Sequence, residues 1–188
     1  MAIGYDKYYK TENLFGEPYP ELIEFMTSLP YKGKLLDLGC GQGRDAIAIA
    51  RLGFAVTGID ASQVGIDQMN EVAKRENLNL VGFVDEIYTY EDFHFFDVVL
   101  LDSMFHFTKK DLERELGFIQ KVASQIKNGC ILIFCIQDSG KKVDILNQAL
   151  NQEKFKKHLA DKTFEYVFED QNSKHQSRTK FRLIALEK

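Results

Sequence analysis

Tryptophan is absent from this 188-residue chain, and proline and cysteine occur three times each. An odd number of cysteines cannot all pair within one chain. Cys40, Cys130 and Cys135 show neither the CxxC nor the Cys/His spacing of a zinc site. Two of them lie in apolar runs, where a thiol serves as a small hydrophobe, so a reduced, cytoplasmic protein without a metal is expected. No apolar stretch approaches the ~20 residues that span a bilayer. The opening "MAIGYDKYYKTENLFGEP" lacks the apolar segment of a secretory leader. A block of one charge is also missing. The 24 Lys and Arg and 28 Asp and Glu are dispersed, and the net charge of −4 gives no indication of a nucleic-acid partner. Without repeats, low-complexity tracts or a Gly/Ser linker, one sizeable domain over 1–188 is expected.

What is present is an alternation of strands and helices. "EPYPELIEFMTSL" (17–29) reads as a helix, with Pro18 and Pro20 in or before its first turn. "KLLDL" (34–38) is a short buried strand, "RDAIAIARL" (44–52) a helix stopped by Gly53, and "FAVTGID" (54–60) a second strand. Ser62 can cap a helix running to about Asn77. "LNLVGFVDE" (78–86) is a third strand, and "IYTYEDFHF" is a short helix or an irregular connection. "FDVVLLDS" (96–103) is a fourth strand, Thr108 and Asp111 open a long helix ending near Gly129, and "CILIFCI" (130–136) is a fifth strand. "KVDILNQALNQEKFKKHL" (142–159) reads as a further helix with a solvated face. "TFEYVFED" (163–170) and "RTKFRLIALEK" (178–188) read as two strands joined by "QNSKHQS". The pattern implies an α/β fold: a doubly wound, mostly parallel seven-stranded sheet closed by an antiparallel C-terminal hairpin. Residues 1–30 would form an N-terminal lid or helical segment and residues 31–188 the core.

Within "LLDLGCGQGRDAIAIARLGFAVTGIDAS" (35–62), Gly39, Gly41 and Gly43 lie between a strand and a helix, and the next strand ends in Asp60. In a doubly wound sheet both features fall at the carboxyl ends of the strands, where ligands bind. Gly39 and Gly41 let the chain turn sharply and let a ligand reach bare backbone. The helix that follows directs its free N–H groups at that point. An ionised Asp60 suits a pair of ribose hydroxyls. The dinucleotide fingerprint GxGxxG is out of register here, because the third glycine comes one place early and Arg44 takes its position. Asp37, Asp60, Asp85 and Asp102, at or near strand ends, favour a nucleoside of cationic character over a pyrophosphate.

The pairing of "DLGCGQGR" with "VTGID" resembles the first motif and following acid of the class I S-adenosylmethionine-dependent methyltransferases. The resemblance covers roughly 34–136, and by architecture the last hairpin. Within that superfamily the chain is similar to small, compact members of the tellurite-resistance type. The resemblance implies that Gly39, Cys40 and Gly41 underlie the methionine part of the cofactor, with Asp37 near its amino group or ordering the loop. It also implies that Asp60 holds the ribose, Ala61 lies against the adenine, Asp85 meets the adenine amino group and Glu86 offers the ring a backbone N–H. Leu101 and Asp102 would line the methionine end.

Other residues keep two readings. Arg44 can bind the cofactor carboxylate or hold the helix start. His106, after strand four, can act as a general base or line the substrate site. Tyr5, Tyr8 and Tyr9 can lid the site, with Tyr5 and Tyr9 as substrate-side candidates, or anchor the terminus. Cys40 is a filler of a tight loop, and His94, His158 and His175 are solvated. The expected activity is in-line transfer of a methyl group from S-adenosylmethionine to a small-molecule acceptor, with no catalytic side chain assigned. The alternatives are a non-catalytic binder of adenosylmethionine or adenosylhomocysteine, and an NAD-dependent oxidoreductase.

Overall fold

The computed structural model describes residues 5–9, 11, 14–169 and 176–188, with Tyr5, Glu169 and Gln176 described by their backbone alone. His175 and most of the segment joining the last two strands lie outside the described residues. Seven strands form one sheet: β1 (Lys34–Leu38), β2 (Ala55–Asp60), β3 (Leu80–Val84), β4 (Val98–Asp102), β5 (Ile131–Gln137), β6 (Lys157–Glu169) and β7 (Gln176–Glu187). Their order is β3-β2-β1-β4-β5-β7-β6. The β1–β5 pairs are all parallel, and β7 runs antiparallel to both β5 and β6. The chain winds outward from β1 to β3, then restarts at β4 on the other side of β1. The strand order therefore reverses between β1 and β4, where a doubly wound sheet opens a crevice.

Five helices cover the faces: α1 (Pro20–Ser28), α2 (Arg44–Arg51), α3 (Gln63–Glu76), α4 (Leu112–Gln125) and α5 (Lys142–Leu150). Alternation along the strands splits the core in two. Leu35, Val56, Leu100 and Ile133 face α1–α3, while Leu36, Leu38, Val99, Leu132 and Phe134 face α4 and α5. Pro20 begins α1, where its missing N–H costs nothing. Ser62 caps α3 by accepting from the Gly65 N–H at 3.1 Å, and left-handed Asn77 ends it.

Three boundaries differ from the sequence reading. The helix from Lys142 stops at Leu150, and Lys157 onward is strand, not a solvated helix face. The competing force is sheet pairing: the Lys156 N–H donates to the Glu187 carbonyl at 2.7 Å, and β6 then follows β7 along its length. α4 begins at Leu112, because Thr108 to Asp111 form a separate turn closed by the Thr108 carbonyl. The region 87–95 contains two short 3-10 turns, Ile87–Thr89 and Phe93–Phe95. The alternating start of the last strand has its own cause. β5 pairs only with Phe181–Glu187, so Arg178 and Lys180 belong to a two-stranded extension of the hairpin.

Candidate functional site

At the end of β1 the chain folds back on β2. The N–H groups of Gly39 and Cys40 both donate to the Ile59 carbonyl, at 2.8 and 3.1 Å. Gly43 adopts φ +81° as the residue capping α2, and a side chain there would run into Met69. This is the physical reason the third glycine sits one place early. Gly39, at φ +75°, opens outward, and a Cβ on it would meet only Met104, at 3.9 Å. Its backbone therefore faces a cleft of about 1320 Å³ over the ends of β1, β2 and β4.

Asp60 joins the two halves of this loop system. One carboxylate oxygen accepts from the Gly41 N–H at 2.9 Å and the other from the Ser62 N–H at 2.8 Å. Desolvation raises its proton affinity, and these two N–H groups work against that rise. Asp37 is only 3% exposed and lies beside the equally sequestered Asp45. Desolvation, reinforced by the charge of Asp45, pushes the Asp37 carboxyl well above the usual carboxylate range, while Arg44 and the Ala46 N–H oppose the rise. Burial likewise raises Asp45 and lifts the Cys40 thiol well above its usual value, so Cys40 is packing rather than a nucleophile.

Of the two readings of Arg44, the structure shows the structural one. Its guanidinium contacts Asp45 at 2.8 Å and Asp102, and lies 4.4 Å from the centre of the Tyr19 ring. Asp102 also accepts from the Ser103 hydroxyl at 2.9 Å, and Ser103 shares a hydrogen bond with the Tyr19 hydroxyl at 2.9 Å. The tip of β4, the start of α2 and the start of α1 are thus tied together by side chains.

Asp37, Gly39, Cys40, Gly41, Asp60, Ala61, Glu86, Asp102, Tyr9 and His106 all border the cleft. Two of the expected residues do not. Leu101 is fully buried in the core facing α4, because alternation turns it away from Asp102's environment. Asp85 is exposed outside the cleft, where it accepts from the Glu86 N–H at 2.7 Å, and its own N–H donates to the Asp60 carbonyl. The Tyr5 side chain lies outside the described residues. Tyr9 is 4% exposed, packed over Gly41. His94 and His158 are exposed and away from the cleft.

Sequence reasoning missed the residues that hold the rim. The Gln42 side chain donates to the Thr11 carbonyl at 2.9 Å and accepts from the Leu14 N–H at 3.0 Å, while Gln68 donates to the Tyr9 carbonyl at 2.9 Å. Asp6 accepts from the Ser62 hydroxyl at 2.5 Å, and the Tyr166 hydroxyl donates to the Glu17 carbonyl at 2.9 Å. Together these bonds strap the N-terminal segment across the glycine loop. On the other rim Glu115, 2% exposed, accepts from the His106 and Phe107 N–H groups at 3.1 and 2.6 Å. It holds a loop bounded by Ser103 and Phe107, both at positive φ, a strained conformation of the kind found at functional sites. One signal was available: position 115 falls in the buried i, i+3, i+4, i+7 stripe of α4 with Phe118, Ile119 and Val122.

A parallel sheet whose switch point carries a glycine loop, an acid on the adjacent strand and a closing antiparallel hairpin defines the class I methyltransferase architecture. Residues 35–129 match the family described as "Methyltransferase domain". The chain belongs to this family. It is 36% identical over 95 residues to the probable S-adenosyl-L-methionine-dependent methyltransferase TehB of Haemophilus influenzae, covering 50% of this chain and 30% of that protein. It is 31% identical over 132 residues to the putative methyltransferase YqeM of Bacillus subtilis, covering 68% of this chain and 52% of that one. The chain thus spans about half or less of the length of these relatives. The fold superposes on the crystal structure of Haemophilus influenzae TehB with a TM-score of 0.71 at 21% identity, covering 98% of this chain and 65% of that one.

The Haemophilus influenzae relative is described as dependent on S-adenosyl-L-methionine. The donor set fits it: bare backbone at Gly39 and a surplus of carboxylates suit a ligand bearing a sulfonium and an ammonium group. Among the described residues no cluster of His, Cys, Asp or Glu is arranged to hold a metal, and no helix is long and apolar enough to cross a membrane.

Proposed function

We propose that the chain transfers a methyl group from S-adenosylmethionine to a small-molecule acceptor by in-line displacement. The observation that carries this reading is the Asp60 carboxylate at the end of β2, next to the glycine loop, bonded to Gly41 on one side and Ser62 on the other. The cofactor supplies an already electrophilic methyl group, so the protein's share is binding, orientation and exclusion of water. In this reading Gly39, Cys40, Gly41 and Asp102 support the methionine end and Asp37 attracts its ammonium. Asp60 receives the ribose, Ala61 and Glu86 flank the adenine, and Asp85 reaches that end only if its side chain rotates inward. Tyr9 and His106 border the acceptor. Residues 1–30 act as a lid on a single domain whose core is 31–188. Three unbridged, buried cysteines fit a reducing, cytoplasmic setting.

Small acceptors accord with two relatives. One is the 2-heptyl-1-hydroxyquinolin-4(1H)-one methyltransferase of Mycobacteroides abscessus, 26% identical over 125 residues, and the other the ubiquinone biosynthesis O-methyltransferase of Rickettsia akari, 32% over 111 residues. Calorimetry with S-adenosylmethionine, S-adenosylhomocysteine and NAD tests the reading. The two sulfur nucleosides should bind and NAD should not. Asp60→Ala should weaken both at least tenfold, and unchanged affinity in that variant would falsify the assignment. Binding without turnover across a broad acceptor panel would instead indicate a non-catalytic sensor.

A further inference from the structure

We infer that the methyl acceptor is an uncharged, planar aromatic molecule, seated in the cleft against the aromatic wall formed where the C-terminal hairpin meets the N-terminal segment. The inference rests on the methyl-transfer reading above and names the substrate class of that site. Two independent features carry it, the material of the acceptor wall and its charge.

The wall is aromatic. The hairpin continues past the end of β5 as a two-stranded extension that brings Tyr166 and Phe168 to the cleft, and Phe181, opposite the last residue of β5, joins them. Phe15, 47% exposed, lines the same cleft from the N-terminal segment. Tyr19 ties the wall to the reaction end: its ring centre is 4.8 Å from those of Tyr166 and Phe181, and its hydroxyl bonds Ser103 at the strand tip. Aromatic faces and edges at these spacings accept another ring by offset stacking or edge contact.

Among the described residues the cleft is net acidic. Its described lining carries eight carboxylates against four guanidiniums, and no lysine. Each guanidinium is already matched by a carboxylate. Arg44 pairs with Asp45 and Asp102, Arg51 and Arg75 with Glu76, and Arg114 with Asp111. A phosphate, sulfonate or carboxylate on the acceptor would enter a cavity whose carboxylates outnumber its guanidiniums, whereas the cationic cofactor meets complementary charge. Nucleic acids and phosphorylated metabolites are therefore poor fits, and a neutral ring is a good one. In the reaction a ring hydroxyl oxygen forms the bond to the methyl carbon. The carbon–sulfur bond breaks with its electron pair on sulfur, releasing a neutral thioether, and the hydroxyl proton leaves to solvent.

The test uses the full chain saturated with S-adenosylhomocysteine and titrated with a matched pair, 2-naphthol and 6-hydroxynaphthalene-2-sulfonate. The expected result is at least tenfold tighter binding of 2-naphthol. Phe168→Ala should weaken that binding at least fivefold, with the protein still binding S-adenosylhomocysteine. Thr179→Lys, which adds a cation to the wall, should narrow or invert the preference. Equal or tighter binding of the sulfonate to the wild-type protein, no naphthol binding by a protein that binds S-adenosylhomocysteine, or methyl transfer to bulk tRNA would each overturn the inference. Failure to bind S-adenosylhomocysteine at all would instead overturn the underlying reading, at an earlier and separate step.

Discussion

The side-chain amide of Gln42 donates to the side-chain oxygen of Gln68 across 2.7 Å, joining the glycine loop to α3 beneath the N-terminal segment. The same two side chains hold the backbone of that segment at Tyr9, Thr11 and Leu14. Gln42 therefore connects the glycine loop to the N-terminal segment lying over it. Gln42→Ala removes several hydrogen bonds, each worth about 0.5–1.5 kcal/mol net. The expected outcome is a roughly tenfold loss of S-adenosylhomocysteine affinity, seen mainly as faster dissociation, together with faster amide hydrogen exchange over residues 5–17. Unchanged exchange in that segment would detach Gln42 from the cover.

Asp37 makes ligand affinity and stability depend on pH in opposite directions. Its carboxyl is raised by burial first and by Asp45 second, so the folded state holds the proton at pH values where the unfolded chain has released it. Stability from this group is greatest in acid. It declines as pH rises from the unfolded value of about 3.9 toward the raised folded one, and is level above it. A ligand carrying sulfonium and ammonium groups gains affinity over the same interval. Asp37→Asn should reduce both slopes, leaving the share of stability that comes from Asp45 and Asp60, with urea denaturation and calorimetry between pH 4.5 and 8 as the measurements. A wild-type affinity for S-adenosylmethionine that is flat across this range would count against the role given to Asp37.

Glu115 supports the acceptor rim only. Glu115→Ala leaves the His106 and Phe107 N–H groups without their carboxylate, at about 1–3 kcal/mol each. A total destabilisation of about 2–6 kcal/mol by urea denaturation is expected. S-adenosylhomocysteine affinity should stay within about threefold of wild type, because the glycine loop does not touch this residue.

Gly43→Ala combines a left-handed backbone with overpacking against Met69. The two effects, about 1–2 kcal/mol and about 1–3 kcal/mol, predict a loss of about 2–4 kcal/mol in chemical denaturation. A neutral result would mean that the loop can re-form without its left-handed cap.

The sequence was informative wherever one residue type had one physical use. The glycines at 39, 41 and 43, the cap at Ser62 and the acid ending β2 were legible because turn geometry and capping are local. The seven-strand pattern with its terminal hairpin was legible from apolar runs and their punctuation. What escaped was decided by pairing over distance. Residues 154–159 carry a helix-like mixture of Lys and apolar positions, yet β7 recruits Lys157 onward into the sheet. Gln42, Gln68 and Asp6 are common surface types, and their roles appear only when Asp6, Tyr9, Thr11 and Leu14 lie over the loop. Leu101 was misread because neighbouring positions on a strand face opposite sides, so it could not share a surface with Asp102.

The three thiols form a natural set of reporters. The Cys130 thiol, its pKa pushed up to about 12 by burial, and the Cys135 thiol, also raised by burial, are shielded in the core beside and within β5 and should react with a thiol-specific dye only when the whole molecule opens. Cys40 sits in the glycine turn itself, so its labelling rate should follow breathing of that turn alone and slow when nucleoside is added. A single time course of dye uptake, without any engineered label, therefore distinguishes local gating at the crevice from global unfolding.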